Sequence, residues 1–264
     1  MPKDSLSSYY QTSEEYLARI STHPDSHYQE YVSFIEAHLP KGARFLDLGC
    51  GSGCSSVLLS RNYDIVGLDI SHLFLEKGKE ALESLHFVQG SIDKLPFPDN
   101  TFDAVGSYNV IEHIPDINGA VAEMVRVTKP DGLIFVCAPN LLSPKYPLDA
   151  FKRGGMTYEG KKSKIGLILM FARNVSFLAL KKVGILAECQ RRTPILSADF
   201  ADMDAAWHCN PIDIAKTFTK HRAHIQGYQG MGHISEKASS ARILNKMVPS
   251  AGGLVRIVAK KEQN

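Results

Sequence analysis

The stretch Phe45-Leu46-Asp47-Leu48-Gly49-Cys50-Gly51-Ser52-Gly53 constrains this chain more than any other. An apolar run breaks into three glycines spaced two apart, an acid stands two residues before the first, and helix-forming sequence follows. That order describes a buried strand that ends, turns tightly and opens a helix around a ligand. Glycine allows a positive φ and leaves no Cβ between backbone and ligand. The first free N–H groups of the helix face the same point. A dinucleotide turn would read G-x-G-x-x-G, with a pyrophosphate on the helix N-terminus. Here Cys54 stands where the third glycine belongs. Asp47 would also set like charge beside a pyrophosphate, whereas it suits a ligand with a cationic end.

Short apolar runs recur downstream, each separated from the next by helical sequence. They are Ile65–Asp69, Leu85–Gln89, Phe102–Ser107 and Leu133–Ala138, the last preceded by a helix that Pro130-Asp131-Gly132 stops. His224–Tyr228 and Leu254–Ala259 read as two final strands, and Asn210-Pro211 opens the helix before them. The alternation predicts an α/β fold, a Rossmann-like doubly wound sheet of parallel βαβ units. Ligands of such sheets lie beyond the carboxyl ends of the strands, where strand order reverses. Gly49, Asp69, Ile92 and Asn109 all fall at strand carboxyl ends and should converge on one crevice. Asp69 follows Asp47 by 22 residues and can accept both ribose hydroxyls of an adenosine. Its plainer role is the N-cap of a helix starting near His72, which Ser71 could fill instead.

The D-x-G-x-G-x-G pattern from Asp47 to Gly53 resembles motif I of the class I S-adenosylmethionine-dependent methyltransferases. Gly90-Ser91-Ile92-Asp93-Lys94-Leu95-Pro96-Phe97 and Asp99 to Val105 resemble that family's "GDAE-LPF-DxxFD" segment, with Ser91 in place of the usual acid. Tyr108 to Asp116 resembles the motif often written "vleHv" after the fourth strand. The resemblance covers residues 43–140. It implies seven strands, mostly parallel with an antiparallel last strand, and S-adenosylmethionine as cofactor. The implied cofactor site is Asp47, Gly49, Cys50, Gly51 and Gly53 at the amino-acid end and Asp69 at the ribose. Ile70 and Ile92 would flank the ring, Ser91 or an inward-turned Asp93 would meet the adenine amino group, and Asn109 would complete the crevice. The implied activity is methyl transfer to a small molecule, most readily a hydroxyl of a sugar, glycolipid or natural product. The alternative is a catalytically silent cofactor-binding subunit, and a nicotinamide oxidoreductase stands behind both. His113 and His208 are the candidate general bases, with His233, Tyr9 and Tyr10 behind them; a structural hydrogen-bonding role is open for each.

Four segments follow: an N-terminal helical cap at 1–40, the cofactor core at 41–139, a lid or substrate insertion at 140–209, and the completion of the sheet at 210–264. The insertion is too long for a plain loop and should carry helices. Between residues 151 and 192 it holds ten Lys or Arg against two acids, although the whole chain carries only +2. With the apolar run Ile165–Leu180 inside it, two readings stay open. It is a lid with solvated charges, or it touches a membrane surface or an anionic lipid-linked acceptor. No basic motif interleaved with aromatics points to nucleic acid. Five cysteines without a CxxC predict reduced thiols, no metal framework and a cytoplasmic setting, with peripheral membrane contact left open.

Overall fold

A computed structural model describes residues 3–20, 23–81, 85–186, 188–196, 203–229 and 254–263. His233 lies outside them. The chain opens with three helices, α1 (Lys3–Thr12), α2 (Glu14–Ile20) and α3 (Gln29–Glu36), before β1 (Arg44–Leu48). Then come α4 (Cys54–Leu59), β2 (Asp64–Asp69), α5 (His72–Ala81), β3 (His86–Gln89) and β4 (Phe102–Tyr108). A 3-10 turn (Ile111–His113) leads to α6 (Ile117–Val127) and β5 (Thr128–Pro139). Next are α7 (Lys145–Lys152), the two-residue strands β6 (Met156–Thr157) and β7 (Gly160–Lys161), and α8 (Lys164–Lys182). The chain ends with α9 (Pro211–Lys220), β8 (Ala223–Gln229) and β9 (Leu254–Lys261).

Seven strands form one sheet in the order β3-β2-β1-β4-β5-β9-β8. The first four pairings are parallel; β9 runs antiparallel to both β5 and β8. The predicted fold class is therefore the observed one. Strand side chains alternate between two cores, as the pleat requires. Leu46, Leu48, Val66, Leu68, Val105, Ile134 and Val136 face the apolar sides of α6 and α9. Phe45, Ile65, Ala104, Phe135 and Val258 face Tyr31, Val32, Phe34 and Ile35 of α3 and Leu58 and Leu59 of α4. Both faces are covered, which is why these strands read as continuous apolar runs.

α6 stops at Val127, short of the Pro130-Asp131-Gly132 turn, because the residue before a proline is disfavoured in helix. The turn lies inside β5 as a bulge. Asp131 sits at φ 62, and the register jumps from Phe102↔Thr128 to Ala104↔Leu133. α9 starts as its sequence indicates, with Pro211 in the first turn and Asn210 Oδ1 accepting from Asp213 N at 3.1 Å. α8 is tied to the start of the insertion and its small hairpin by the two residues that interrupt its apolar run. Asn174 Nδ2 donates to the carbonyls of Leu141 (3.3 Å) and Ser143 (3.1 Å), and Arg173 binds Tyr158 and Glu159. Its far end is held by a fully buried ion pair, Lys181 Nζ to Asp213 Oδ2 at 2.8 Å. Among the described residues no helix is long and apolar enough to cross a membrane.

Candidate functional site

The strand order reverses between β1 and β4, and a cavity of about 400 Å³ opens at the carboxyl ends of β1, β2 and β4. Its floor is the glycine turn. Gly49 N and Cys50 N both donate to Leu68 O, at 2.7 and 3.1 Å, and so lash the turn to β2. Gly49 adopts φ +66, and a Cβ there would lie 2.4 Å from Val110 Cγ2. Gly53 adopts φ +82 and would strike the Phe87 ring at 2.8 Å. The first and third glycines are thus demanded by the chain's own packing as well as by conformation. Gly49, Cys50 and Gly51 line the cavity, whereas Gly53 does not and instead caps α4 from behind the turn.

Asp47 is 1% exposed, yet it borders this cavity. Its Oδ2 accepts from Ser55 Oγ and Ser56 Oγ, both at 2.7 Å, and its Oδ1 faces Tyr31 Oη at 3.5 Å. Burial raises its pKa, and the three hydroxyls oppose that. Asp69 is wired differently. Its Oδ2 accepts from Gly51 N at 2.9 Å and its Oδ1 from Ser71 N at 2.8 Å. Ser71, not Asp69, caps α5, its Oγ accepting from Phe74 N at 3.4 Å. Burial lifts the Asp69 carboxyl to about 6 against the pull of these backbone donors. A carboxylate offers about four acceptor positions, so Asp69 keeps capacity for hydroxyl donors in the cavity.

Beyond β3, Ser91, Ile92 and Asp93 line the same cavity, with Ile70 on the β2 side. Ser91 Oγ donates to Asp93 Oδ1 at 2.5 Å, so the serine in the place of the family's acid orients a carboxylate two residues on. At the end of β4, Asn109 takes φ 52, a left-handed conformation that asparagine tolerates. Its Oδ1 is buried on the cavity with no hydrogen-bond partner. An orphaned buried acceptor is costly unless a ligand donor meets it.

Across the cavity stands His113. Its Nδ1 lies 3.5 Å from Asp204 Oδ1 and its Nε2 3.6 Å from Glu112 Oε1. Tyr10 Oη donates to Asp204 Oδ2 at 2.7 Å, and burial together with that carboxylate pushes the phenol well above its ordinary range. The segment bearing Asp204 is pinned to the 3-10 turn. Ala206 N donates to Glu112 O (2.8 Å), and the indole of Trp207 to Ile111 O (3.0 Å). Tyr10, Tyr16 and Phe74 form an aromatic wall beside it, Tyr16 and Phe74 stacked at 5.9 Å. His23, His27 and Tyr28 complete the lining from the N-terminal segment, whereas of the described insertion residues only Asp204 reaches the cavity.

Of the two candidate bases the structure brings only His113 to the cavity. His208 sits behind it, between the Tyr158 and Phe177 rings, with its backbone N–H on Gln190 O at 2.9 Å. Burial and the nearby Arg173 and Arg192 lower its pKa to about 4. Asp204 was not singled out in the sequence, since it lies 91 residues from His113 in a stretch without a motif. Glu112 carried a signal, because it directly precedes His113 in the "vleHv"-like segment.

Residues 46–136 match the family model for the methyltransferase domain. Similar proteins include the sterol 24-C-methyltransferase of Yarrowia lipolytica, 30% identical over 72% of this chain and 49% of that protein. A demethylmenaquinone methyltransferase of Staphylococcus haemolyticus is 38% identical over 39% of this chain and 45% of that protein. This chain spans about half the length of the curated relatives it matches. Among solved structures, an S-adenosylmethionine-dependent methyltransferase from Mesorhizobium loti superposes with a TM-score of 0.56 at 16% identity, covering 87% of this chain and 96% of that one. The fold is that of the Rossmann-like methyltransferases, and residues 46–136 match the methyltransferase domain of that class. The cofactor of that class is S-adenosylmethionine. A site with two buried carboxylates, an orphaned amide oxygen and a glycine floor fits a ligand that carries an ammonium, a sulfonium and ribose hydroxyls.

Proposed function

We propose that this protein transfers a methyl group from S-adenosylmethionine to a small molecule, free or lipid-linked, at a hydroxyl of a sugar, glycolipid or natural product. The observation that supports this reading is the junction of two half-sites in one cavity. The Asp47, Asp69 and Asn109 side is suited to the cofactor, and His113 with Asp204 faces it. Bound there, S-adenosylmethionine supplies a methyl group already activated by its sulfonium. Asp69 would hold the ribose hydroxyls, Asn109 Oδ1 the ammonium, Asp93 and Ser91 the adenine amino group, and Ile70 and Ile92 the faces of the ring. Asp204 Oδ1 stands 3.5 Å from His113 Nδ1 and Glu112 Oε1 3.6 Å from Nε2, and the His113–Asp204 pair together would take the proton of an acceptor O–H. Correct placement contributes most of the acceleration, and the base adds to it. In this reading the N-terminal helices cap the cavity and the insertion at 140–209 sets acceptor choice through Asp204. Its basic part, 151–192, is the part of the chain that would meet a membrane.

A carbon acceptor is the second reading, favoured by the name of the sterol 24-C-methyltransferase. The aromatic wall of Tyr10, Tyr16 and Phe74 suits an apolar ring. Calorimetry with S-adenosylmethionine and with NAD, followed by methyl-label transfer to sugar, sterol and quinol acceptors, separates these possibilities. Heat with S-adenosylmethionine alone and label in one acceptor class is the expected outcome. Binding without transfer to any acceptor would favour the silent subunit, and heat with NAD alone would overturn the reading.

A further inference from the structure

α8 carries apolar residues on every side, and only half of it is buried. Leu167, Met170, Asn174, Leu178 and Lys181 face the protein at 5% exposure or less. On the opposite side Ile165, Ile168, Leu169 and Val175 are 71%, 67%, 65% and 43% exposed. Their spacing of three, one and six residues sets them along one face of the helix. Phe171 (40%) borders that face, and Leu148 and Phe151 of the adjoining α7 are each 56% exposed. A helix with no polar side is ordinarily buried, and contiguous exposed apolar surface on a protein marks a docking site.

Charge identifies what docks. The N-terminal end of this face carries Lys152, Arg153, Lys161 and Lys164, all exposed, and Lys164 Nζ lies 5.9 Å above the Phe151 ring, joining the cations to the apolar residues. α8 itself contains no acid. Asp149 is paired with Lys152, and Glu159 is engaged by Arg173 and Lys162. An apolar strip edged by more cations than acids is complementary to a bilayer with anionic headgroups, where long basic side chains reach the phosphates while Ile, Leu and Phe enter the acyl boundary. No described helix can cross a membrane, so contact is with the surface.

We propose that the outer face of α7 and α8 docks this protein on an anionic membrane surface, which makes the acceptor a membrane-resident molecule. The second clause rests on the methyl-transfer reading; the first does not. The test is co-sedimentation of the whole chain, without cofactor, with equimolar phosphatidylglycerol–phosphatidylcholine vesicles and with phosphatidylcholine vesicles, at low and high salt. The wild-type protein should bind the anionic vesicles, lose binding with salt, and bind the neutral ones far more weakly. Ile168→Glu with Leu169→Glu, and separately Lys161→Glu with Lys164→Glu, should each weaken binding by on the order of tenfold or more. These residues are exposed, so thermal melting and calorimetric S-adenosylmethionine binding should match the wild type. Lost cofactor binding in the wild type would count against the methyltransferase reading alone. Absence of sedimentation with either vesicle, or equal binding of wild type and both variants, overturns the membrane proposal. So does a dimer in ultracentrifugation that Ile168→Glu with Leu169→Glu dissolves, since a second copy would then cover the face.

Discussion

Asp69 is the residue at which the cofactor assignment can be tested most sharply. The structure gives it two measurable signatures. It accepts from Gly51 N and Ser71 N while buried at 7% exposure on the cavity wall. Burial holds its pKa at about 6 rather than the ordinary 3.8, a difference worth about 3 kcal/mol. The folded protein keeps the proton that the unfolded chain has already released. The favourable contribution is therefore complete below about pH 4 and is lost as pH rises through about 6. In Asp69→Asn that loss should vanish. The stability of the wild type minus that of the variant, from urea titrations across this range, should fall by roughly 3 kcal/mol. Other carboxylates, such as Asp103 and Glu123 with lowered pKa values, slope the opposite way and cancel in the difference. Cofactor binding reads the same group from the other side. Ribose hydroxyls donate to the ionised form, so affinity should weaken below about pH 6, and Asp69→Ala should lose about 1.5–3 kcal/mol of binding at neutral pH. Calorimetry across pH measures both. An unchanged dissociation constant in Asp69→Ala, in a protein that still folds, would refute the reasoning.

Asp204→Asn and His113→Ala should each lower kcat for a hydroxyl acceptor by about 10²–10⁴-fold, with S-adenosylmethionine affinity within about twofold of wild type, checked by label transfer beside calorimetry. If both keep full turnover, the base is elsewhere. Lys181→Met leaves the buried Asp213 carboxylate without its cation and should cost about 3–5 kcal/mol in urea unfolding, with only part recovered when Asp213→Leu is added, because Cys189 N and Asn210 Nδ2 then lose their acceptor. Gly49→Ala combines a left-handed φ with a 2.4 Å approach to Val110 and should destabilise by about 1–3 kcal/mol. Val110→Ala should relieve only the steric part, which a double-mutant comparison measures.

The sequence alone determined the sheet, the glycine turn and which strand ends border the cavity. Each of these rests on a local pattern. Apolar strands alternate with helices, glycines stand where φ must be positive, and Asp69 and Asn109 fall at strand ends that a parallel sheet must bring together. What only the tertiary structure decided depends on contacts between distant segments. Asp204 meets His113 across 91 residues because Trp207 and Ala206 fasten that segment to the turn after β4. His208, two motif-free residues beyond Ala206, was a fair candidate in sequence. It turns the other way, behind the Tyr158 ring, because its backbone N–H is taken by Gln190. Gly53 had the spacing of a ligand contact, but its missing Cβ makes room for Phe87. The apolar run of α8 was plain in sequence. Which of its faces is buried was not, because a helix without a polar side carries no periodicity to read, and only the anchoring of Asn174 and Lys181 fixes its orientation.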